Sequence, residues 1–228
     1  ARAAGAKTLV VGAANRGGVI SDAWIATLIE AIEAGMDIAS GLHNLLRDRE
    51  ELVEAARKAG TTLFDVRVPT VEYPIADGRK RAGKRCLAVG TDCSLGKMYT
   101  TLALEKEMHG RGMKADFRAT GQTGILIAGQ GVSVDAVVAD FISGATEWLS
   151  PANDDDHWDL IEGQGSLFHP SYAGVSLGLL HGAQPHAMIG GLEAGGGVEI
   201  GMHAVWAAAP FLAALMFAVI LGGVGGNL

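Results

Sequence analysis

The sequence predicts an α/β protein of two parallel-sheet units, and three observations carry that prediction. Short apolar runs ending in glycine or a polar residue alternate with longer segments of helical periodicity, the pattern of strands joined by crossover helices. A glycine-rich turn, Gly90-Thr91-Asp92-Cys93-Ser94-Leu95-Gly96-Lys97, stands between one such run, Cys86-Leu87-Ala88-Val89, and a helical segment. A polar stretch over residues 68–84, with Pro69, Pro74 and four basic residues, separates the two halves. The expected division is therefore a unit over 1–75, a linker over 76–83 and a second unit over 84–228. With 228 residues, 49 % of them hydrophobic, the chain can bury a core in each.

In the first half, residues 7–12 read as a buried strand and 13–18 as a loop. Ser21 and Asp22 offer a cap to a helix in which Trp24, Ile25, Leu28, Ile29 and Ile32 recur at helical spacing, and Gly35 ends it. Residues 36–40 form a second strand, and Gly41-Leu42-His43 opens a connection. A charged, alanine-rich helix over 49–58 closes at Gly60, and 62–66 supply a third strand. This is a Rossmann-like unit.

The second half starts with the strand over 86–89, the glycine-rich turn and a helix running to about His109, where Gly110 and Gly112 stop it. Residues 114–119 form the next strand, 120–124 a polar loop, 134–142 a mixed segment read as helical, and 153–157 a polar turn. A strand over 158–163 ends in Glu162 and Gly163. The order is that of a P-loop NTPase-like parallel-sheet domain. Residues 200–228 carry no charge, and 204–221 are apolar throughout with Pro210 among them. That length approaches a membrane span, but glycine turns flank it in place of basic residues. A buried helix plus strand is expected there, with a membrane anchor or a break in the natural sequence as alternatives.

Composition narrows the functions. The net charge of −7, with no Lys/Arg stripe, argues against a nucleic-acid partner. Cys86 and Cys93 match neither a zinc pattern nor a disulfide framework, which suits a reduced, cytoplasmic setting. Residues 1–4 open no long apolar stretch, so neither a secretory signal nor a membrane location is expected. The chain also lacks an initiator Met, as numbering inside a longer protein would.

The chemistry concentrates at the glycine-rich turn. Strand, turn and helix aim backbone N–H groups and a helix N-terminus at one point, and Lys97 adds positive charge, so the run reads as a phosphate cradle. Its spacing is one residue longer than G-x-x-x-x-G-K-[ST], and Met98 stands where a hydroxyl would hold Mg²⁺. Gly90, Thr91, Asp92, Cys93, Ser94, Gly96 and Lys97 are thus candidate phosphate ligands, with no metal expected. Cys93, at a helix N-terminus beside Lys97, raises the further possibility of a thiolate that carries a covalent intermediate.

Five stretches carry a resemblance: Gly41-Leu42-His43, Asp65-Val66-Arg67, the run over 90–97, Phe117-Arg118-Ala119-Thr120-Gly121-Gln122-Thr123-Gly124, and Ile161-Glu162-Gly163-Gln164-Gly165-Ser166-Leu167-Phe168-His169-Pro170. Over residues 7–189 the chain resembles the DUF1611 family, which has a Rossmann-like N-terminal part and a P-loop C-terminal part. The family includes a D-glutamate N-acetyltransferase that uses acetyl-CoA, and the sequence looks close to that type. The loop is also similar to that of dethiobiotin synthetase, an ATP-dependent enzyme with the same Gly-Thr-Asp opening.

The resemblance implies transfer of an acetyl group from acetyl-CoA to the amine of D-glutamate, with the cradle holding CoA phosphates. Glu162, at a strand's carboxyl end, and His169, as an imidazole, are the two candidates for the base that deprotonates the amine. Arg118 is the candidate grip on a substrate carboxylate, with Thr120, Gln122 and Thr123 adding neutral hydrogen bonds. Ser94 and Ser166 are further hydroxyl donors. Asp154-Asp155-Asp156 reads as a solvated turn. A homo-oligomer is expected. The alternatives are a Mg-ATP-dependent ligase or kinase-like enzyme and a CoA-sensing module without turnover.

Overall fold

The computed structural model describes residues 1–201 apart from 14, 16, 70, 195 and 196, with 192–194 and 197–201 described as backbone. The chain divides into two compact units, the first Ala1–Thr70 and the second starting at Val71.

The first unit is a parallel sheet of order β1-β2-β3, with β1 at Thr8–Val11, β2 at Asp37–Ser40 and β3 at Leu63–Asp65. Helices α1 (Asp22–Glu33) and α2 (Glu50–Ala59) are the crossovers. Ile25, Leu28 and Ile32 of α1 and Leu52 of α2 meet Ile38 in one core. Ser21 occupies the N-cap of α1, but its side chain makes no capping bond; Trp24 N–H donates to the Ser21 carbonyl instead, at 3.0 Å. Asp22 accepts from Arg49 at 2.7 Å. After α1, Gly35 turns left-handed (φ +78°) and Met36 N–H reaches back to the Ala31 carbonyl, a Schellman closure. Acidic residues open α2 and basic ones close it, as the helix dipole favours. The motif residues brace this unit. Buried Asp65 accepts from the Leu46 and Arg47 N–H groups and from Arg47 Nε, and Arg67 Nε donates to the Gly41 carbonyl at 2.6 Å.

The second unit holds a five-stranded sheet of order β5-β6-β4-β7-β8. Its elements are β4 (Lys84–Gly90), α3 (Lys97–Gly110), β5 (Ala115–Arg118), α4 (Gln122–Ala128), α5 (Ile142–Leu149), β6 (Trp158–Ile161), α6 (Ala173–Ala183), β7 (Ala187–Ala194) and β8 (Gly197–Gly201). The sheet is parallel from β5 through β7, and β8 runs antiparallel to β7. Alternation along the strands sorts two cores. Cys86 and Leu160 meet Met108 of α3, while Leu87 and Ile161 meet Ile142, Ala145 and Leu179 of α5 and α6.

Three segments differ from expectation. The polar loop over 120–124 becomes the start of α4 at Gln122. The segment over 134–142 makes two short 3₁₀ turns, Val134–Ala136 and Ala139–Phe141, and the regular helix begins only at Ile142, where buried Ile142, Ala145, Thr146 and Leu149 first repeat at helical spacing. Residues 76–83, expected as a linker, are part of the second unit: Asp77 and Gly78 N–H groups donate to Glu147, and Arg81 donates to the Ser150 and Gly182 carbonyls. The helix and strand expected within 204–221 lie outside the described residues. Among those described, no helix is long and apolar enough to cross a membrane.

The topology fixes where a site can form. The chain leaves β4 through α3 and passes over β6 to β5; it leaves β6 through α6 and passes over β4 to β7. These connections depart in opposite directions, so the carboxyl ends of β4 and β6 flank a crevice, the usual ligand position in open α/β sheets. Gly163 lets the two ends approach. A Cβ there would run into the Ala88 carbonyl oxygen and come within 2.9 Å of Lys97 Cδ. Gly163→Ala is expected to cost about 3 kcal/mol in urea unfolding, because backbone rather than a movable side chain must give way.

Candidate functional site

Loop 90–97 lies on one side of the crevice. Ser94 (φ +59°) and Gly96 (φ +77°) both turn left-handed, which folds the loop back so that α3 begins at Lys97. Asp92 steadies the turn by accepting from the Cys93 N–H at 2.7 Å, and Thr91 N–H donates to the Gly191 carbonyl of β7. Lys97 is 8 % exposed, and its Nζ donates to the Asp92 carbonyl at 2.9 Å. Burial lowers its pKa, while Cys93, Asp92 and Glu162 pull it back up. The cradle thus carries a desolvated ammonium beside a glycine-rich backbone, with Met98 in the position after it.

Glu162 lies on the other side, 3 % exposed. Its Oε2 accepts from the Thr120 N–H at 2.8 Å and the Gly121 N–H at 3.0 Å. Burial raises its pKa, opposed by those two backbone donors and by Lys97. Gly124 allows this seat, since a Cβ there would strike Glu162 Oε2. The result is a dry carboxylate with a raised affinity for a proton, held rigidly near a lysine. These are the properties of a general base or acid whose proton affinity lies above that of a free glutamate.

The turn after Glu162 is stitched to the cradle. Leu167 N–H donates to the Gly90 carbonyl at 2.9 Å, and Ser166 Oγ donates to the Thr91 carbonyl at 2.7 Å while accepting from the His169 N–H at 2.9 Å. Ser166 is therefore a buried brace. His169 sits in this turn, half-buried; its Nδ1 accepts from the Ser171 N–H, and its ring lies 4.6 Å from that of Tyr172.

Arg118 requires a correction. It is in register with Ile161, on the α5–α6 side of the sheet, whereas Glu162 follows one residue later and faces the other way. Its guanidinium bonds Asp159, itself 1 % exposed, at 2.7 Å and reaches Asp116 at 3.4 Å. That arrangement makes an internal ion pair, so Arg118 is not available to grip a substrate carboxylate. Asp159→Ala is expected to destabilise the second unit by about 3–5 kcal/mol, read from its urea midpoint, because it strands a largely buried cation.

Thr120 also takes a different part. It is fully buried, and its Oγ1 donates to the Glu162 carbonyl at 2.7 Å, so it positions the carboxylate and cannot meet a ligand. Gln122 and Thr123 occupy the first turn of α4, beside the N–H groups that hold Glu162. The Cys93 thiol is shifted up, first by burial and then by Asp92, against the pull of Lys97. That direction disfavours the thiolate an acetyl-cysteine route would need. Asp154 and Asp156 pair with Lys114 at the surface. Among the described residues no His, Cys, Asp and Glu cluster is arranged to hold a metal.

Sequence reasoning gave no part to Gln164, Gly121 or Asp159. For Gln164 a signal was present: it follows Glu162 by two residues between Gly163 and Gly165, and in extended chain positions i and i+2 share a face.

Fold and site together define an α/β protein of the P-loop type, with a lysine-bearing cradle facing a buried carboxylate. The chain belongs to the DUF1611 family. A domain of unknown function (DUF1611_C), a P-loop domain, matches residues 74–198, and the Rossmann-like DUF1611_N matches residues 1–69. It is 68 % identical over 189 residues to a D-glutamate N-acetyltransferase of Tritonibacter scottomollicae, covering 83 % of this chain and 57 % of that protein. It is 58 % identical over 185 residues to another of that name from a Pseudoalteromonas species, covering 81 % and 56 %. The chain thus spans a little over half the length of these curated relatives. The crystal structure of a DUF1611 family protein from Anabaena variabilis ATCC 29413 superposes with a TM-score of 0.78 at 37 % identity, over 95 % of this chain and 64 % of that one.

Proposed function

We propose that the protein is an N-acetyltransferase that moves an acetyl group from acetyl-CoA to the amino group of D-glutamate. The observation that carries the proposal is the buried Glu162 carboxylate, its pKa raised, across the crevice from the Lys97 cradle. The two relatives named D-glutamate N-acetyltransferase support the acceptor and the acetyl transfer, and acetyl-CoA as donor is part of the proposal.

In this reading the backbone of residues 90–97 and the Lys97 ammonium bind CoA phosphates, which need no metal-holding hydroxyl after the lysine. Glu162 removes a proton from the substrate ammonium, which alone makes the nitrogen nucleophilic. Binding side by side in the crevice supplies the remaining advantage by proximity. Gln122 and Thr123, in the first turn of α4, are the proposed neutral contacts to the amino acid. His169, engaged with Ser171 and Tyr172, shapes the loop and is the lesser candidate for the base. A cytoplasmic location and a homo-oligomer belong to the same proposal; the former is supported by two free cysteines.

A second reading has one observation in its favour. Glu162 directly follows the strand next to the cradle strand, where an enzyme that uses Mg-ATP needs an acidic group. Calorimetric titration with acetyl-CoA and with ATP, each with and without Mg²⁺, separates the two. Acetyl-CoA binding that ignores Mg²⁺ is expected. Binding of Mg-ATP alone would replace the transferase with a ligase- or kinase-like enzyme.

A further inference from the structure

Among the described residues, the Gln164 side chain makes no hydrogen bond or ion pair that would account for it. The turn that bears it is held by other atoms. Glu162 N–H donates to the Arg118 carbonyl, the Gln164 carbonyl accepts from Ser176 Oγ at 2.8 Å, and Gly165 turns left-handed (φ +70°) against the Tyr172 carbonyl. From that fixed backbone the Gln164 amide extends over Gly121. A Cβ at position 121 would collide with Gln164 Nε2 and would lie 3.3 Å from Glu162 Oε1. Two polar side chains from one strand end therefore converge on the bare Cα of Gly121, and one of them is the proposed base.

We infer that the Gln164 side-chain amide is a catalytic group of the acyl-transfer site, donating a hydrogen bond to the acetyl carbonyl oxygen as the amine attacks. The inference rests on the acetyltransferase reading and names a further group in that same site. The chemistry balances without another reactant. Glu162 takes one proton from the substrate ammonium, and the amine lone pair forms the C–N bond while the carbonyl π pair moves onto oxygen. The oxyanion then collapses, the C–S bond breaks, and the departing CoA thiolate takes the second proton from nitrogen. A donor is needed at the oxygen only while it carries charge.

Charge order favours this role over recognition of a substrate carboxylate. A carboxylate within reach of Gln164 would lie close to ionised Glu162 throughout the ground state and be repelled by it. The acetyl oxygen becomes anionic only after Glu162 has accepted its proton and is neutral. A neutral amide is also the suitable donor here, since a second cation beside Glu162 would depress the pKa that burial raises.

The test is steady-state kinetics of acetyl transfer to D-glutamate, with calorimetric acetyl-CoA affinity, for wild type, Gln164→Ala and the similarly sized Gln164→Met. Thermal melts verify that both variants fold. The expected result is a fall in kcat of about 100-fold in both, the usual effect of removing one oxyanion donor, with KM for D-glutamate and acetyl-CoA affinity unchanged. A kcat within three-fold of wild type in Gln164→Met overturns the inference. So does a raised KM for D-glutamate at unchanged kcat, which would make Gln164 a ground-state substrate contact. If wild type binds acetyl-CoA but acetylates no amino acid, the transferase reading itself falls and takes the inference with it. That outcome is distinct, because it needs no variant.

Discussion

Lys97→Ala is expected to weaken acetyl-CoA binding by roughly ten- to a hundred-fold, the worth of about 1.5–3 kcal/mol for a hydrogen bond to a charged group. Three features make the effect large. Lys97 is 8 % exposed, so solvent screens its charge little. Its Nζ already donates to the Asp92 carbonyl inside the loop, which fixes its aim before a ligand arrives. Burial also lowers its pKa, so a bound phosphate would both accept its hydrogen bond and favour its charge. The measurement is calorimetry of the variant against acetyl-CoA and against dephospho-CoA, which lacks the ribose phosphate. Equal losses for both ligands would place Lys97 on the pyrophosphate. An unchanged affinity for acetyl-CoA would sink the cradle assignment.

Glu162→Gln should lower kcat by about 100- to 10,000-fold while leaving acetyl-CoA affinity nearly intact, because a glutamine cannot take the ammonium proton. The wild-type pH profile carries the same signature. Since burial raises the Glu162 pKa, kcat/KM should climb with pH through a midpoint above the ordinary glutamate range, and that ascending limb should vanish in the variant. Stability moves the opposite way. A carboxyl whose folded pKa exceeds its unfolded value contributes stability that is full below the unfolded pKa and is lost as pH rises through the folded one. Above its folded pKa the wild type has lost that contribution, so Glu162→Gln should melt no earlier than wild type there and should keep its melting temperature as pH rises further. A variant that melts much earlier would recast Glu162 as a structural carboxylate, and a variant with undiminished kcat would remove it from the chemistry.

Much of this was legible along the chain. The strand over 86–89, the glycine-rich turn and the helix ending near Gly110 appear in the structure as β4, the loop and α3, because each depends on contacts within a few residues. The stop at Gly35 and the charge order of α2 are local for the same reason. The stretch over 134–142 was harder, since its apolar residues serve 3₁₀ turns whose burial depends on distant α6 and β4. Within the site, Lys97 and Glu162 stood out because residue type and position at a strand's end carry chemical meaning alone. Arg118 and Thr120 stood out equally and took other parts, because their partners Asp159 and Glu162 lie about forty residues away in sequence.

The sequence by itself therefore determined the α/β class, the two units, the succession of β4, phosphate-type loop and α3, and the carboxylate that follows β6. These follow from hydrophobic period, glycine placement and side-chain chemistry, all local quantities. Strand order and register were decided only in three dimensions. Placing β6 between β4 and β5 turns Arg118 toward Asp159 on one face while Glu162, one residue beyond Arg118's partner Ile161, meets the Thr120 and Gly121 N–H groups on the other. Side chains alternate across a sheet, so which polar residues share a site is a matter of pairing between distant strands. Burial completes the separation: sequence names a lysine and a glutamate, but only the packed crevice removes their water and shifts their proton affinities.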